Sequence, residues 1–315
     1  MRAMRFATAS FLGIVLFCAC EPAKPPPAPA PVVAPVAQTD PFTVSFGWTP
    51  AVGTREEGVF RTTMRADIKM KAPNGRELRN KADDEFEFAF TEETLKVEGR
   101  APSEIRRKFS KATRRKSGTL STLGVEGKSL WAKKDFDGAW TWTVEGGSPL
   151  ADEDYAAMSE GLGRRGGGGG KDGGVVDEAF GSGRPVKVGD TWRPDIGVLA
   201  RLYVDPDTGV DAATSSATCK LASAEKRGNS IYGTVDLNID FSVVKIGGGN
   251  LNEPLHFVLR GTVTGCLDGS SPDAALKATL SMRGHRTAVR PGTDHTLDIE
   301  MDLDLTLDTR RSLAK

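Results

Sequence analysis

Histidine is nearly absent: a chain of 315 residues holds three, His256, His285 and His295. They match no metal-ligand spacing, and neither His-Glu-x-x-His nor Gly-x-Ser-x-Gly occurs. An excess of charge is also missing, with 42 acidic and 42 basic residues. A dedicated nucleic-acid binder carries a basic excess, so that class is set aside. Beyond residue 20, no apolar run reaches the about 20 residues of a membrane-spanning helix. Two segments approach a ligand motif and miss it. A P-loop ending at Gly170-Lys171 needs Gly where Arg165 stands and Ser or Thr where Asp172 stands. The Asp-rich turn at Asp205, Asp207 and Asp211 has Val210 and Ser216 where an EF-hand wants Gly and Glu. These absences leave no catalytic residue, no metal and no cofactor to name, and the chain reads as non-enzymatic.

What is present starts at the N-terminus. Arg2 and Arg5 precede an apolar stretch, Phe6 to Ala19, the size of a secretory signal core rather than of a membrane span. It closes on Phe17-Cys18-Ala19-Cys20. That segment resembles the lipobox of bacterial envelope lipoproteins, with small Ala19 before an acceptor Cys20 and Phe17 where leucine is usual. The resemblance is confined to the first 20 or so residues. It implies a signal peptide over 1–19 and lipidation of Cys20 by a diacylglycerol thioether and an amine-linked acyl group. Two or more chains anchor stably where one does not. The expected location is the bacterial cell envelope, anchored to a membrane (the outer one first), with the body in the periplasm or at the cell surface. Residues 20–39 then read as the acylated cysteine and a stalk. Seven of the 18 residues in 22–39 are proline, and most of the rest are Ala or Val, which favours extended polyproline II and buries no core.

The remainder alternates with period two. Phe86, Phe88 and Phe90 share a face; so do Met64, Ala66, Ile68 and Met70. Val235, Leu237, Ile239, Phe241 and Val243 oppose Asp236, Asn238, Asp240 and Ser242. The odd positions from Leu297 to Leu307 oppose an acidic stripe, Asp298, Glu300, Asp302, Asp304 and Asp308. Such strands have one dry and one wet face. One helix is expected, capped by Ser148, with Pro149 first, acids at 152–154, and Ala151, Tyr155, Met158 and Leu162 on one side. The fold class that follows is mainly β: an antiparallel curved sheet, as a half-barrel or two packed sheets, with one short helix near the middle. A single domain over 40–315 is expected, its halves (40–150 and 175–315) joined by the helix and a Gly-rich linker. A curved sheet under a helical lid is similar to the lipoprotein carriers of the Lol type, which bind acyl chains inside a half-barrel. The segment "RPVKVGDTWRPD" resembles one found in uncharacterised envelope lipoproteins.

Several residues are candidates for a role. Phe86, Phe88, Phe90, Ile239, Phe241 and Leu303 are expected to line one concave ligand wall. An oxidising compartment permits a disulfide between Cys219 and Cys266. A simple meander, however, sets Cys219 opposite about residue 236 and that residue opposite about 261, five short of Cys266. The bridge therefore needs another strand order or a bent end, and two buried thiols are the alternative. Trp131, Trp140 and Trp142 lie on a hairpin turning at Asp135–Gly138, with Trp131 opposite Trp142 and Lys133 opposite Trp140. They read either as a surface contact for sugar or lipid headgroups or as a cross-strand aromatic pair. The basic run from Arg106 to Lys116 follows an equally acidic run over 83–98, which favours mutual neutralisation over an anion-binding patch. The expected partners are a membrane, through the lipid anchor, and a hydrophobic ligand. The alternative is another envelope protein or a glycan; nucleic acid is not expected.

Overall fold

A computed structural model of the protein describes residues 36–134, 140–162, 179–204, 208–246, 249–289 and 296–314. The signal segment, Cys20, most of the stalk, the Gly-rich linker, the Asp135–Gly138 turn, Asp205, Asp207 and His295 lie outside the described residues. Two short strands, β1 (Val36–Ala37) and β2 (Phe42–Thr43), precede three long ones: β3 (Arg55–Lys71), β4 (Glu77–Glu98) and β5 (Ala101–Lys116). Then come β6 (Thr119–Thr122), β7 (Ser129–Lys134), β8 (Trp140–Val144), helix α1 (Asp152–Gly161), β9 (Pro185–Val186) and β10 (Thr191–Trp192). Helix α2 (Ile196–Tyr203) leads into β11 (Gly209–Arg227), β12 (Ser230–Ile246), β13 (Gly249–Cys266), β14 (Ala274–Val289) and β15 (Thr296–Leu313).

The fold is mainly β, as alternation predicts. The long strands form one open antiparallel sheet in the order β1-β11-β12-β13-β14-β15-β3-β4-β5-β7-β8, with β10 also on β11 and β6 on β5. Among the described strands, only β2 and β9 pair apart from it. Each half is a meander, and the two meanders join where the last long strand, β15, pairs with the first, β3, from Asp298↔Lys71 to Leu313↔Glu56. Charge selects that register. The acidic stripe of β15 sets Asp298, Glu300, Asp304 and Asp308 opposite Lys71, Lys69, Arg65 and Arg61. A slip of one residue would oppose these acids to apolar side chains. The one like pair, Asp302↔Asp67, is relieved sideways, Asp302 by Arg283 at 2.9 Å and Asp67 by Arg79 at 2.8 Å.

Two helices occur among the described residues where one was expected, and each covers part of the sheet's apolar face. Met158, Ala157 and Leu162 at α1 pack on Phe86, Phe88, Phe90 and Phe109. Helix α1 starts later than its sequence signals indicate: Ala151 is its N-cap and no side chain caps it. Ser148 instead accepts from Val144 N–H at 2.8 Å through its carbonyl, Pro149 bridges to Thr143, and Tyr155 points outward. Helix α2 is capped by Asp195, whose carboxylate accepts from Val198 N–H at 3.0 Å. Its Val198 and Leu199 are buried against β11 and β12, together with Val44, Phe180, Val186, Trp192 and Leu267. Burying each such large side chain contributes about 1.5–3 kcal/mol. The stalk ends sooner than composition indicates, because Val36 and Ala37 already pair with Lys226 and Glu225.

Two glycines on the apolar face mark close approaches within the sheet. At Gly284, φ is 154°, and a Cβ would stand 2.7 Å from Leu255 Cδ2. At Gly261 one would stand 2.5 Å from the Lys277 carbonyl on the next strand. Glycine within a strand marks such close approach of a neighbouring backbone or side chain. Among the described residues no helix is long and apolar enough to cross a membrane.

Candidate functional site

Register carries one face across the whole sheet. Leu303, Leu305 and Leu307 lie opposite Ala66, Met64 and Thr62, and those opposite Ala82, Asp84 and Phe86. On the other side they meet Met282, Leu280 and Ala278, then Phe257, Leu259 and Gly261, then Phe241, Ile239 and Leu237. The six residues expected to line a wall therefore do share a face. They do not share an environment. Phe86, Phe88 and Phe90 are buried in the core under α1; Ile239 and Phe241 are buried in the core under α2. Only Leu303 remains half-buried. Five of the six are thus packed core, because the two helices and the segments beside them already occupy the space above.

Between the two cores an apolar seam follows β15 and β3. Leu303, Leu305 and Leu307 on one strand, and Met64, Ala66, Ile68 and Met70 on the other, are all half-buried. A neighbouring group, Ile299 and Met301, is buried at its far end.

The near end of the seam is charged. Glu56, Glu92 and Arg107 project from the apolar face of β3, β4 and β5, all buried, and Arg311 joins them from β15. Glu92 accepts on one oxygen from Arg107 Nε at 2.9 Å and on the other from Arg311 Nη2 at 2.6 Å. The Arg107 guanidinium is 4.1 Å from the Phe90 ring centroid and 5.0 Å from that of Trp142. Burial alone would raise the Glu92 carboxyl, but the charges and hydrogen bonds of Arg107 and Arg311 outweigh it and hold the group down at about 2. Glu56 is the weak member. Its Oε2 is 3.5 Å from Arg311 Nη1 and carries no hydrogen bond, and burial, with the Glu92 charge, pushes its carboxyl up against the pull of Arg311. The Nε of Arg311 is likewise buried without a hydrogen-bond partner.

Elsewhere the charge runs pair off. Arg115 meets Glu85 at 3.3 Å, Lys111 meets Glu87 at 2.5 Å and Arg106 meets Glu93 at 2.6 Å, the neutralisation between β4 and β5 that the sequence favours. The tryptophan hairpin is one residue out of its expected register: Trp131 pairs with Thr143, Trp142 with Ala132 and Trp140 with Lys134. A one-residue shift flips faces. Trp131 is 50% exposed, while Trp140 and Trp142, at 6% each, are core rather than surface contacts. Trp131 borders a cleft of about 450 Å³ with Leu95, Lys133, Lys134, Thr141 and Thr143. A second cleft, of about 530 Å³, lies at the strand ends near Arg227, Tyr232, Asp273 and Arg310. Neither is lined by the seam leucines.

The cysteine bridge is not made. Cys219 pairs with Leu237 and Leu237 with Gly261, which leaves Cys266 two strands away and five residues along. Both thiols are free and buried, and burial pushes Cys219 up to about 12. Cys266 donates instead to Asp268 Oδ1 at 3.0 Å. No family model matches the chain, and no curated protein matches it.

Proposed function

We propose that the protein is a lipid-anchored envelope lipoprotein that binds a hydrophobic ligand along the β15–β3 seam. The observation that carries this is the seam itself: seven apolar side chains in two facing rows, half-buried on the face that both cores otherwise bury. Partly exposed apolar surface between covered regions is where a ligand or partner surface is looked for, although Leu305 and Leu307 also touch the core under α2 and Leu303, Ile68 and Met70 touch the Ile299–Met301 group. The lipobox resemblance at Cys20 supplies the anchor, and the proline-rich tract supplies reach from the membrane. The body acts as a binding protein, not as an enzyme. It sits in the periplasm or at the cell surface.

Two measurements test this. Cys20→Ala should move the protein from the membrane to the soluble fraction, and the wild-type chain should carry acyl mass on residue 20; an unlipidated mature chain sinks the anchor. A fluorescent fatty-acid probe should bind saturably to wild type. Leu303→Trp should block it at a smaller cost in stability than a core site, because Leu303 is only half-buried. Ile239→Trp should instead lose about 1–3 kcal/mol, since it overpacks a filled core. Absence of saturable binding, with Leu303→Trp as destabilised as Ile239→Trp, ends the carrier reading. The second reading, contact with an envelope protein or glycan, is favoured by the exposed Trp131 in its cleft beside Lys133 and Lys134.

A further inference from the structure

We propose that the seam's ligand is a single acyl chain ending in an anionic group, with that group held by Arg311 at the charged end and the chain laid toward Leu303. The inference rests on the seam being the ligand site and adds the chemistry of the ligand's head.

The geometry joins an apolar track to one incompletely used cation. Along β15 the same face reads Leu303, Leu305, Leu307, Thr309, Arg311, a run of roughly 26 Å at about 3.3 Å per residue. The seam is two strands wide, about 5 Å between strand axes, which suits one chain rather than two. At its end Arg311 gives Nη2 to Glu92, holds Glu56 only at 3.5 Å through Nη1, and leaves a buried Nε with no acceptor. The residues paired with it are Gly58 on β3, where the Phe90 ring takes the place of a side chain, and Ala274 on β14. A buried donor without a partner costs free energy that a ligand oxygen recovers. A chain with a neutral apolar end would leave that donor unmet.

Charge balance then couples binding to a proton. Glu56 faces Arg311 from β15, Glu92 from β4 and Arg107 from β5. Two cations and two carboxylates sum to zero, so an arriving anion brings the buried cluster to −1 unless one carboxylate is protonated. Glu92, bonded on both oxygens, stays ionised. Glu56, whose carboxyl is already raised by burial, takes a proton from solvent as the anion takes over its place on Arg311. Affinity for an anionic head therefore rises as pH falls toward the Glu56 titration.

The test uses the full chain with two probes of equal length, hexadecanesulfonate, charged throughout the pH range, and hexadecanol, each below its aggregation threshold. Sulfonate should bind at least tenfold tighter than hexadecanol at the acid end of the range over which the protein stays folded, with the advantage shrinking as pH rises. Glu56→Gln should tighten sulfonate binding and abolish its pH dependence. Arg311→Gln should reduce sulfonate to the level of hexadecanol and leave hexadecanol unchanged. Should Arg311→Gln fail to fold, the Glu56→Gln pH profile decides alone. Equal binding of the two probes to wild type overturns the anionic head while the seam site stands. Sulfonate binding that Glu56→Gln leaves unchanged, with its pH dependence intact, also overturns it. Binding of neither probe removes both.

Discussion

Gly58 lies against the ring of Phe90, so closely that a Cβ on Gly58 would stand 2.5 Å from Phe90 Cζ. The contact joins β3 to β4 on the apolar face, next to the charged cluster. Gly58→Ala should therefore destabilise by about 1–3 kcal/mol, as overpacking does. Urea unfolding measures it. Adding Phe90→Leu should recover part of the loss, and a cycle with no coupling would mean the ring simply turns aside.

Glu92 gives the protein an acid limit. Its folded carboxyl is held at about 2, against 4.5 for the unperturbed group. A depressed carboxyl contributes stability that is complete above the unfolded value and is lost as pH falls through the folded one. The loss should therefore run from about pH 4.5 down to about pH 2. Glu92→Gln strands the buried Arg107 guanidinium and leaves the half-buried Arg311 only Glu56 at 3.5 Å, and should cost about 3–5 kcal/mol at pH 7. Its stability curve should also be flatter than wild type over that acid range. Parallel curves would show that another carboxylate sets the limit.

Trp131 is the accessible member of its hairpin. Acrylamide should quench Trp131 most strongly and the half-buried Trp48 less, and Trp131→Phe should remove the strongest class while Trp140, Trp142 and Trp192 remain shielded. Strong quenching that persists in Trp131→Phe would place another tryptophan at the surface.

The two halves should not fold apart. Separating 40–150 from 175–315 opens the β15–β3 pairing along its whole length and exposes the apolar face of both strands. Each half alone should give aggregate or a species without a sharp melting transition. Two clean transitions from two soluble halves would establish independent domains.

Much of this architecture is visible in alternation alone. Phe86, Phe88 and Phe90 continue at the same period to Glu92, and Leu303, Leu305 and Leu307 continue to Arg311, so parity already turns both charged groups inward. Net charge over a window hides this, because it counts Glu92 with the outward acids beside it. Arg107 is less legible. The register between β4 and β5 shifts at Ala89/Phe90 and again near Leu95, and each shift changes which residues face inward. Helix α2 spans only two turns, too few for periodicity to separate it from a strand, although Asp195 before an apolar run is an ordinary helix start. The β15–β3 pairing joins opposite ends of the chain, and no local pattern encodes such distance; only the match of acids to bases marks it. The tryptophan hairpin is paired one residue from the expected register, and a shift of one reverses every side chain along both strands.

The same pairing has a consequence for the order in which the molecule is made. Synthesis delivers β3 early and β15 last among the described strands. At about 5–20 residues per second the interval is on the order of ten seconds or more. Throughout it, β3 offers 17 residues of unpaired backbone edge with apolar side chains on one flank. The strand that fits this edge best is β15, and a neighbouring chain's β15 fits it as well as the molecule's own. Crowded nascent chains are thus exposed to strand exchange at this joint, and fast handling of the unfinished chain matters more here than in a sheet whose neighbours follow one another in sequence.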